Sequence, residues 1–92
     1  MTVMTDEQIQ TELKSRSEWS EMNGSIQRTY QFKDFAGSIE FVKKVADFAE
    51  AADHHPDILI RYNKVTLTLS THDAGGVTEK DFALAAQADS VF

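Results

Sequence analysis

Three histidines, His54, His55 and His72, are all that this 92-residue chain carries, and it has no cysteine. Imidazole offers two chemistries here. It binds zinc, with Asp53, Asp57 and Asp73 near enough in sequence to add oxygens. It also titrates near neutrality, so a group of histidines can both give and take protons at cellular pH. A reaction that expels a hydroxyl and frees a proton from the neighbouring atom needs both acts. The spacing disfavours metal. Adjacent His54 and His55 point apart in extended chain, and no H-x-H or H-x-x-x-H pair sets two ligands on one face. Acid–base work rather than a metal site is the reading carried forward.

Those histidines must be positioned by few elements. The length fits one domain, residues 1–92. With 41% hydrophobic and 26% charged residues, the composition is that of a globular protein. So small a domain buries a modest fraction of its surface, and self-association would stabilise it. No apolar run is long enough to cross a bilayer, and the N-terminal stretch from Met1 to Asp6 lacks the pattern of a signal peptide. A cytoplasmic, non-membrane protein is expected. Fifteen acidic against nine basic residues leave a net charge of −6. That balance repels phosphate backbones, so direct nucleic-acid binding is not expected.

Thr5-Asp-Glu-Gln8 has the spacing of a capping box, with Met4 and Ile9 placed as a hydrophobic staple, and predicts a helix over 6–15. Asn23-Gly24 is a strong hairpin signal between strands at 19–22 and 25–32, with Ile26, Tyr30 and Phe32 on one parity. Gly37-Ser38 then predicts a helix start with Ser38 as N-cap. Phe41, Val45, Phe48 and Ala52 form its apolar stripe, and Pro56 ends it by His55. Residues 58–70 predict a second hairpin turning at Asn63-Lys64. Tyr62 would then face Val65, Ile60 would face Leu67 and Ile58 would face Leu69, all on one core-facing side. Gly75-Gly76 breaks the chain, and Thr78 caps a last helix through Phe82, Ala85 and Ala88. The fold class is α+β: two β-hairpins forming one antiparallel four-stranded sheet, with helices packed on one face.

Extending that second hairpin outward pairs His55 with His72, roughly 5 Å apart as cross-strand partners. His54 falls on the opposite parity, and Pro56 is placed to interrupt the ladder. All three imidazoles therefore gather where the hairpin opens. Glu50 reads equally well as a residue orienting an imidazole or as a solvated helix face. Asp81, three residues after Thr78, reads first as the acid of a capping box. Asp57 reads as a turn residue beside Pro56. Tyr62 reads as core, and Trp19 either covers the sheet or lines a pocket. No nucleophile elbow and no phosphate-binding glycine pattern is present.

Glu50-Ala-Ala-Asp-His54-His55-Pro56, followed by Tyr62, His72 and Asp81, resembles the signature of the pterin-4a-carbinolamine dehydratases. The stretch from Tyr62 to His72 is also similar to that family, and the likeness spans most of the chain. It implies dehydration of a 4a-hydroxytetrahydropterin, such as 4a-hydroxytetrahydrobiopterin, to the quinonoid dihydropterin, with no metal or organic cofactor. This hydro-lyase reaction recycles the pterin cofactor of aromatic amino acid hydroxylases. By the same resemblance His54, His55 and His72 are the catalytic histidines, while Glu50, Pro56, Asp57 and Asp81 bind or orient the substrate. It further implies a homodimer or homotetramer. In animals the family includes a coactivator of a homeodomain transcription factor, so a protein-interaction module without catalysis is the alternative. Where the family often carries an aromatic residue after His-His-Pro-acidic, this chain has Ile58.

Overall fold

The computed structural model describes residues 2–92; Met1, which the N-terminal and whole-chain readings include, lies outside the described residues. Its elements are α1 (Asp6–Lys14), β1 (Ser20–Met22), β2 (Ser25–Gln31), α2 (Phe35–Ala52), β3 (Asp57–Arg61), β4 (Lys64–Leu69), a 3-10 turn (His72–Ala74) and α3 (Glu79–Ser90). The strands form one sheet in the order β1-β2-β4-β3, each neighbour antiparallel. One face supplies the core. Ile26 and Tyr30 of β2, with Val65, Leu67 and Leu69 of β4, are fully buried together with Val45 of α2 and Ala85 and Ala88 of α3. Alternation along the strands sends Thr29, Thr66, Gln27 and Thr68 to the other face, where they pair by hydrogen bonds across β2 and β4.

The first two local signals perform as expected and the third does not. Thr5 and Gln8 close a reciprocal capping box on α1, which ends at Lys14 with Ser15 as its C-cap. Asn23 and Gly24 both take positive φ, 49° and 79°, as a tight two-residue hairpin demands. The helix expected to start at Ser38 starts earlier. Asp34 is its N-cap, its carboxylate accepting the Gly37 amide at 2.8 Å. Gly37 serves close packing instead, because a Cβ there would come within 3.3 Å of both Asp34 Oδ1 and Phe32 Cβ. Ser38 is buried inside the helix and donates its hydroxyl to the Tyr62 carbonyl at 2.9 Å.

The second hairpin turns one residue sooner than Asn63-Lys64. Tyr62 and Asn63 form the loop, so Ile60 faces Val65, Ile58 faces Leu67 and Arg61 faces Lys64. Tertiary contacts account for the shift. Asn63 exchanges two bonds with Phe32 at the end of β2, accepting its amide at 2.7 Å and donating Nδ2 to its carbonyl at 3.1 Å. The Ser38 hydroxyl pins the Tyr62 carbonyl, and Tyr62 adopts a left-handed φ of 53°. Its ring is 66% exposed, not core. The displacement along β4 is two residues, so the strand side chains keep their parity, but Ile58, read as core-facing, is exposed on the edge strand.

Candidate active site

The shortened ladder changes the histidine geometry. β3 begins at Asp57 and β4 ends at Leu69, so His55 and His72 are not cross-strand partners. Other devices hold them. Helix α2 closes on Asp53 in the left-handed conformation (φ 50°), and the His54 amide reaches back to the Ala49 carbonyl at 3.0 Å. This reversal turns the His54 side chain inward, leaving it 10% exposed. Its Nε2 lies 2.5 Å from Oδ1 of Asp81, a carboxylate with no solvent exposure.

Asp81 does two things at once. Its Oδ2 accepts the Thr78 amide at 2.9 Å, which is its half of the capping box on α3. The same oxygen accepts from the Thr71 hydroxyl at 2.9 Å, while Oδ1 is kept for His54. Capping and imidazole contact are thus not alternatives, since a carboxylate has two oxygens and about four acceptor positions. An imidazole that gives its Nε2 proton to a carboxylate has Nδ1 free, as a lone pair when neutral and as a second N–H when charged.

His55 is solvated, with its Nε2 hydrogen-bonded to Oε2 of an equally open Glu50. An exposed pair of this kind contributes at most about 1 kcal/mol. His72 lies exposed in the 3-10 turn that leaves β4. The turn is closed by Thr71, whose carbonyl accepts from Ala74 and Gly75 and whose amide donates to Gly76 at 2.9 Å. Among the described residues, the His72 imidazole bonds to no other side chain. Pro56 is half-buried directly before β3. Asp57 is exposed at the head of β3, opposite Thr68, and takes no part in the bonds that hold the histidines. Among the described residues, no three His, Asp or Glu side chains converge as metal ligands.

Two groups escaped sequence reasoning. Thr71, next to His72, links that turn to the carboxylate beneath His54. Its only sequence signal is adjacency to a histidine. The second is a cluster at the far end of α3. Asp89 accepts from Arg16 at 3.0 Å, Arg28 at 2.8 Å, the Tyr30 hydroxyl at 2.6 Å and the Trp19 indole at 3.1 Å. Trp19 therefore belongs to the core. Burial first, then the Asp89 carboxylate, hold the Tyr30 hydroxyl well above its ordinary pKa. A groove of about 900 Å³ between residues 2–5, α1 and the start of α3 contains no histidine. Its lining is exposed and mostly carboxylate, amide or hydroxyl, including Glu7, Glu12 and Glu79. His54 and Asp81 join an imidazole to a fully buried carboxylate, and they are the candidate site.

Known proteins match along the whole chain. The family described as pterin 4 alpha carbinolamine dehydratase matches residues 2–91. A Picosynechococcus sp. protein, provisionally named a pterin-4-alpha-carbinolamine dehydratase, is 54% identical over 90 residues, covering 98% of each chain. One from Herpetosiphon aurantiacus with the same provisional name is 51% identical, covering 100% of this chain and 96% of its own. The crystal structure of a protein described as a transcriptional coactivator/pterin dehydratase from Brucella melitensis superposes with a TM-score of 0.94 at 33% identity, over 98% of both chains. A pterin dehydratase-like protein identified as a RuBisCO assembly factor in the alpha-carboxysome superposes with a TM-score of 0.69 at 25% identity, over 80% of this chain and 88% of its own.

Proposed function

The chain belongs to the pterin 4 alpha carbinolamine dehydratase family, and from that premise we propose that it dehydrates a 4a-hydroxytetrahydropterin by histidine acid–base catalysis. The observation that carries the reading is His54 backed by the buried Asp81. In the reaction the C4a–O bond breaks and its electron pair leaves with the hydroxyl, which takes a proton and departs as water. The N5–H bond gives its electrons to a new C4a=N5 double bond, and its proton goes to a base. No net electron transfer occurs, so the balance requires only an acid and a base.

Protonated His54 is the acid. The carboxylate behind it stabilises an imidazolium and fixes the ring so that Nδ1 presents the proton. His72, on the turn tied to the same carboxylate through Thr71, shares the leaving hydroxyl. His55, oriented by Glu50, binds the ring and receives the N5 proton; its exposure lets it pass that proton to water. Pro56 and Asp57 border this end of the sheet and contact the substrate. The setting is the cytoplasm, and the product feeds reduction of the pterin cofactor of aromatic amino acid hydroxylases.

A homodimer or homotetramer is part of this proposal. Support comes from β3, an edge strand that itself exposes Ile58 and Leu59, which a second copy would cover. The non-catalytic alternative, a protein-interaction module, draws on the coactivator and assembly-factor descriptions of the two solved structures. One assay separates the readings. A carbinolamine generated in situ and followed by absorbance should lose water faster with the protein than without it. His54→Ala should remove most of that acceleration. Wild-type turnover at the spontaneous rate would favour the interaction module, and unchanged turnover in the variant would remove His54 from the mechanism.

A further inference from the structure

Thr71 lies two residues beyond the core strand β4 and faces two ways. Its main chain closes the turn that carries His72, through the bonds to Ala74, Gly75 and Gly76. Its side chain points into the protein, where Oγ1 lies 2.9 Å from Asp81 Oδ2 and 2.7 Å from Thr78 Oγ1. Thr78 and Asp81 have no exposure and Thr71 is buried. No water competes for these groups, so every proton has to be placed.

A hydroxyl has one proton to give. Asp81, as a carboxylate, can only accept. Thr78 Oγ1 accepts the Lys80 amide at 3.3 Å. If Thr71 gave its proton to Thr78, its own oxygen would confront Asp81 Oδ2 as acceptor against acceptor. One order satisfies all the contacts: Lys80 N–H to Thr78, Thr78 O–H to Thr71, and Thr71 O–H to Asp81. With the Thr78 amide also on Oδ2, that oxygen is held by two donors, and Oδ1 is left aimed at His54 Nε2.

We propose that Thr71, with Thr78 setting the direction of its hydroxyl, is a positioning residue that fixes the tautomer of His54 and the placement of the His72 turn against it. This rests on the reading of His54 and His72 as the groups that act on the leaving hydroxyl. Thr71 bonds both to the carboxylate under one histidine and to the loop bearing the other. Removing the hydroxyl frees Asp81 to rotate and lets His54 exchange protons between Nδ1 and Nε2.

The test uses the full chain with 15N-labelled histidine. At mildly alkaline pH, long-range 1H–15N correlation should show one of the three imidazoles locked with its proton on Nε2. In Thr71→Val that signal should move to a tautomer mixture, kcat for carbinolamine dehydration should fall about tenfold, and KM should stay within about twofold. Thr71→Ser should restore both. Wild-type protein should also show slowly exchanging hydroxyl protons from Thr71 and Thr78, a measurement that needs no variant to fold. A folded Thr71→Val with an unchanged imidazole pattern would overturn the proposal, as would the lack of any protected hydroxyl in the wild type. A locked tautomer with protected hydroxyls but no catalysed dehydration would uphold the positioning role and sink the activity instead.

Discussion

Helix α3 carries one inward carboxylate near each end, and their surroundings are opposites. Asp81, in the first turn, meets an amide, a hydroxyl and an imidazole. Asp89, two turns on, meets two guanidiniums, a phenol and an indole. The charged partners of Asp89 are both guanidiniums, a group that proteins do not deprotonate, so its environment is fixed. One partner of Asp81 is an imidazole, a group that exists both neutral and charged. A carboxylate among fixed charges is architecture. A carboxylate whose counter-charge comes and goes can serve a proton transfer. The two ends of one helix thus divide stability from chemistry.

The sharpest way to break that division is to make the same substitution at both ends. In Asp81→Asn the amide oxygen can stay on the Thr78 and Thr71 donors, preserving the cap. The NH2 then faces His54 Nε2 and forces the proton to Nδ1. The ring keeps its place but loses support for its charged form, and kcat/KM should fall by about 10³-fold, in keeping with the wrong-tautomer effect. The melting temperature should move by only a few degrees. Near wild-type turnover in Asp81→Asn would dissolve the distinction between the two carboxylates.

Asp89→Asn should do the reverse. It leaves Arg16 and Arg28 facing each other without a counter-charge in a partly buried setting, where Arg28 Nε already lacks a partner among the described residues. Breaking such a pair costs about 3 kcal/mol. In a domain of this size that is a fall of more than about 10 °C in Tm. The fraction that stays folded should keep kcat within about twofold. A large loss of kcat in folded Asp89→Asn would show that the far end of the helix also tunes the site.

How much of this was legible follows the range of each interaction. The α1 capping box and the Asn23-Gly24 turn are local, and both form as read. The Tyr62-Asn63 turn is set by Phe32 and Ser38, about 30 and 24 residues away, so hairpin rules misplace it by one residue. The predicted His55–His72 pair fell with that register. Thr78-x-x-Asp81 was read rightly as a cap, but the second carboxylate oxygen has no local signature. The family resemblance marked Asp81, though not what it touches. The Asp89 cluster draws on five residues from α3, β2 and the α1–β1 segment, and no periodicity announces it. Chemistry-bearing residues were therefore visible by type, while their bonding partners required the fold.

Tyr30→Phe sharpens the comparison from the architectural side. It removes a 2.6 Å hydrogen bond to Asp89 but leaves three donors there, so the cost at pH 7 should be about 1 kcal/mol. The pH dependence is more telling. The Tyr30 pKa is raised in the folded protein, so the folded state binds more protons than the unfolded one above the ordinary tyrosine pKa of about 10. That contribution is whole below about pH 10 and erodes as pH rises further. Chemical denaturation followed from pH 8 upward should show wild type losing stability above about pH 10 more steeply than Tyr30→Phe. Identical slopes would remove Tyr30 from the fixed end of the helix.

The smallest effect should come from Glu50, the third carboxylate that holds a ring nitrogen. It resembles Asp81 in touching a histidine and differs in lying open to water. Solvent screens its field, and two flexible exposed side chains gain little from one geometry. Glu50→Gln keeps a hydrogen bond to His55 while removing the charge. We expect kcat/KM to drop no more than about threefold and Tm to stay within about 2 °C. If burial is what makes Asp81 decisive, these two carboxylates should differ by more than a hundredfold in the same assay. A Glu50→Gln defect as deep as that of Asp81→Asn would mean that His55, not His54, carries the step that limits turnover, and the buried pair would lose its claim to the chemistry.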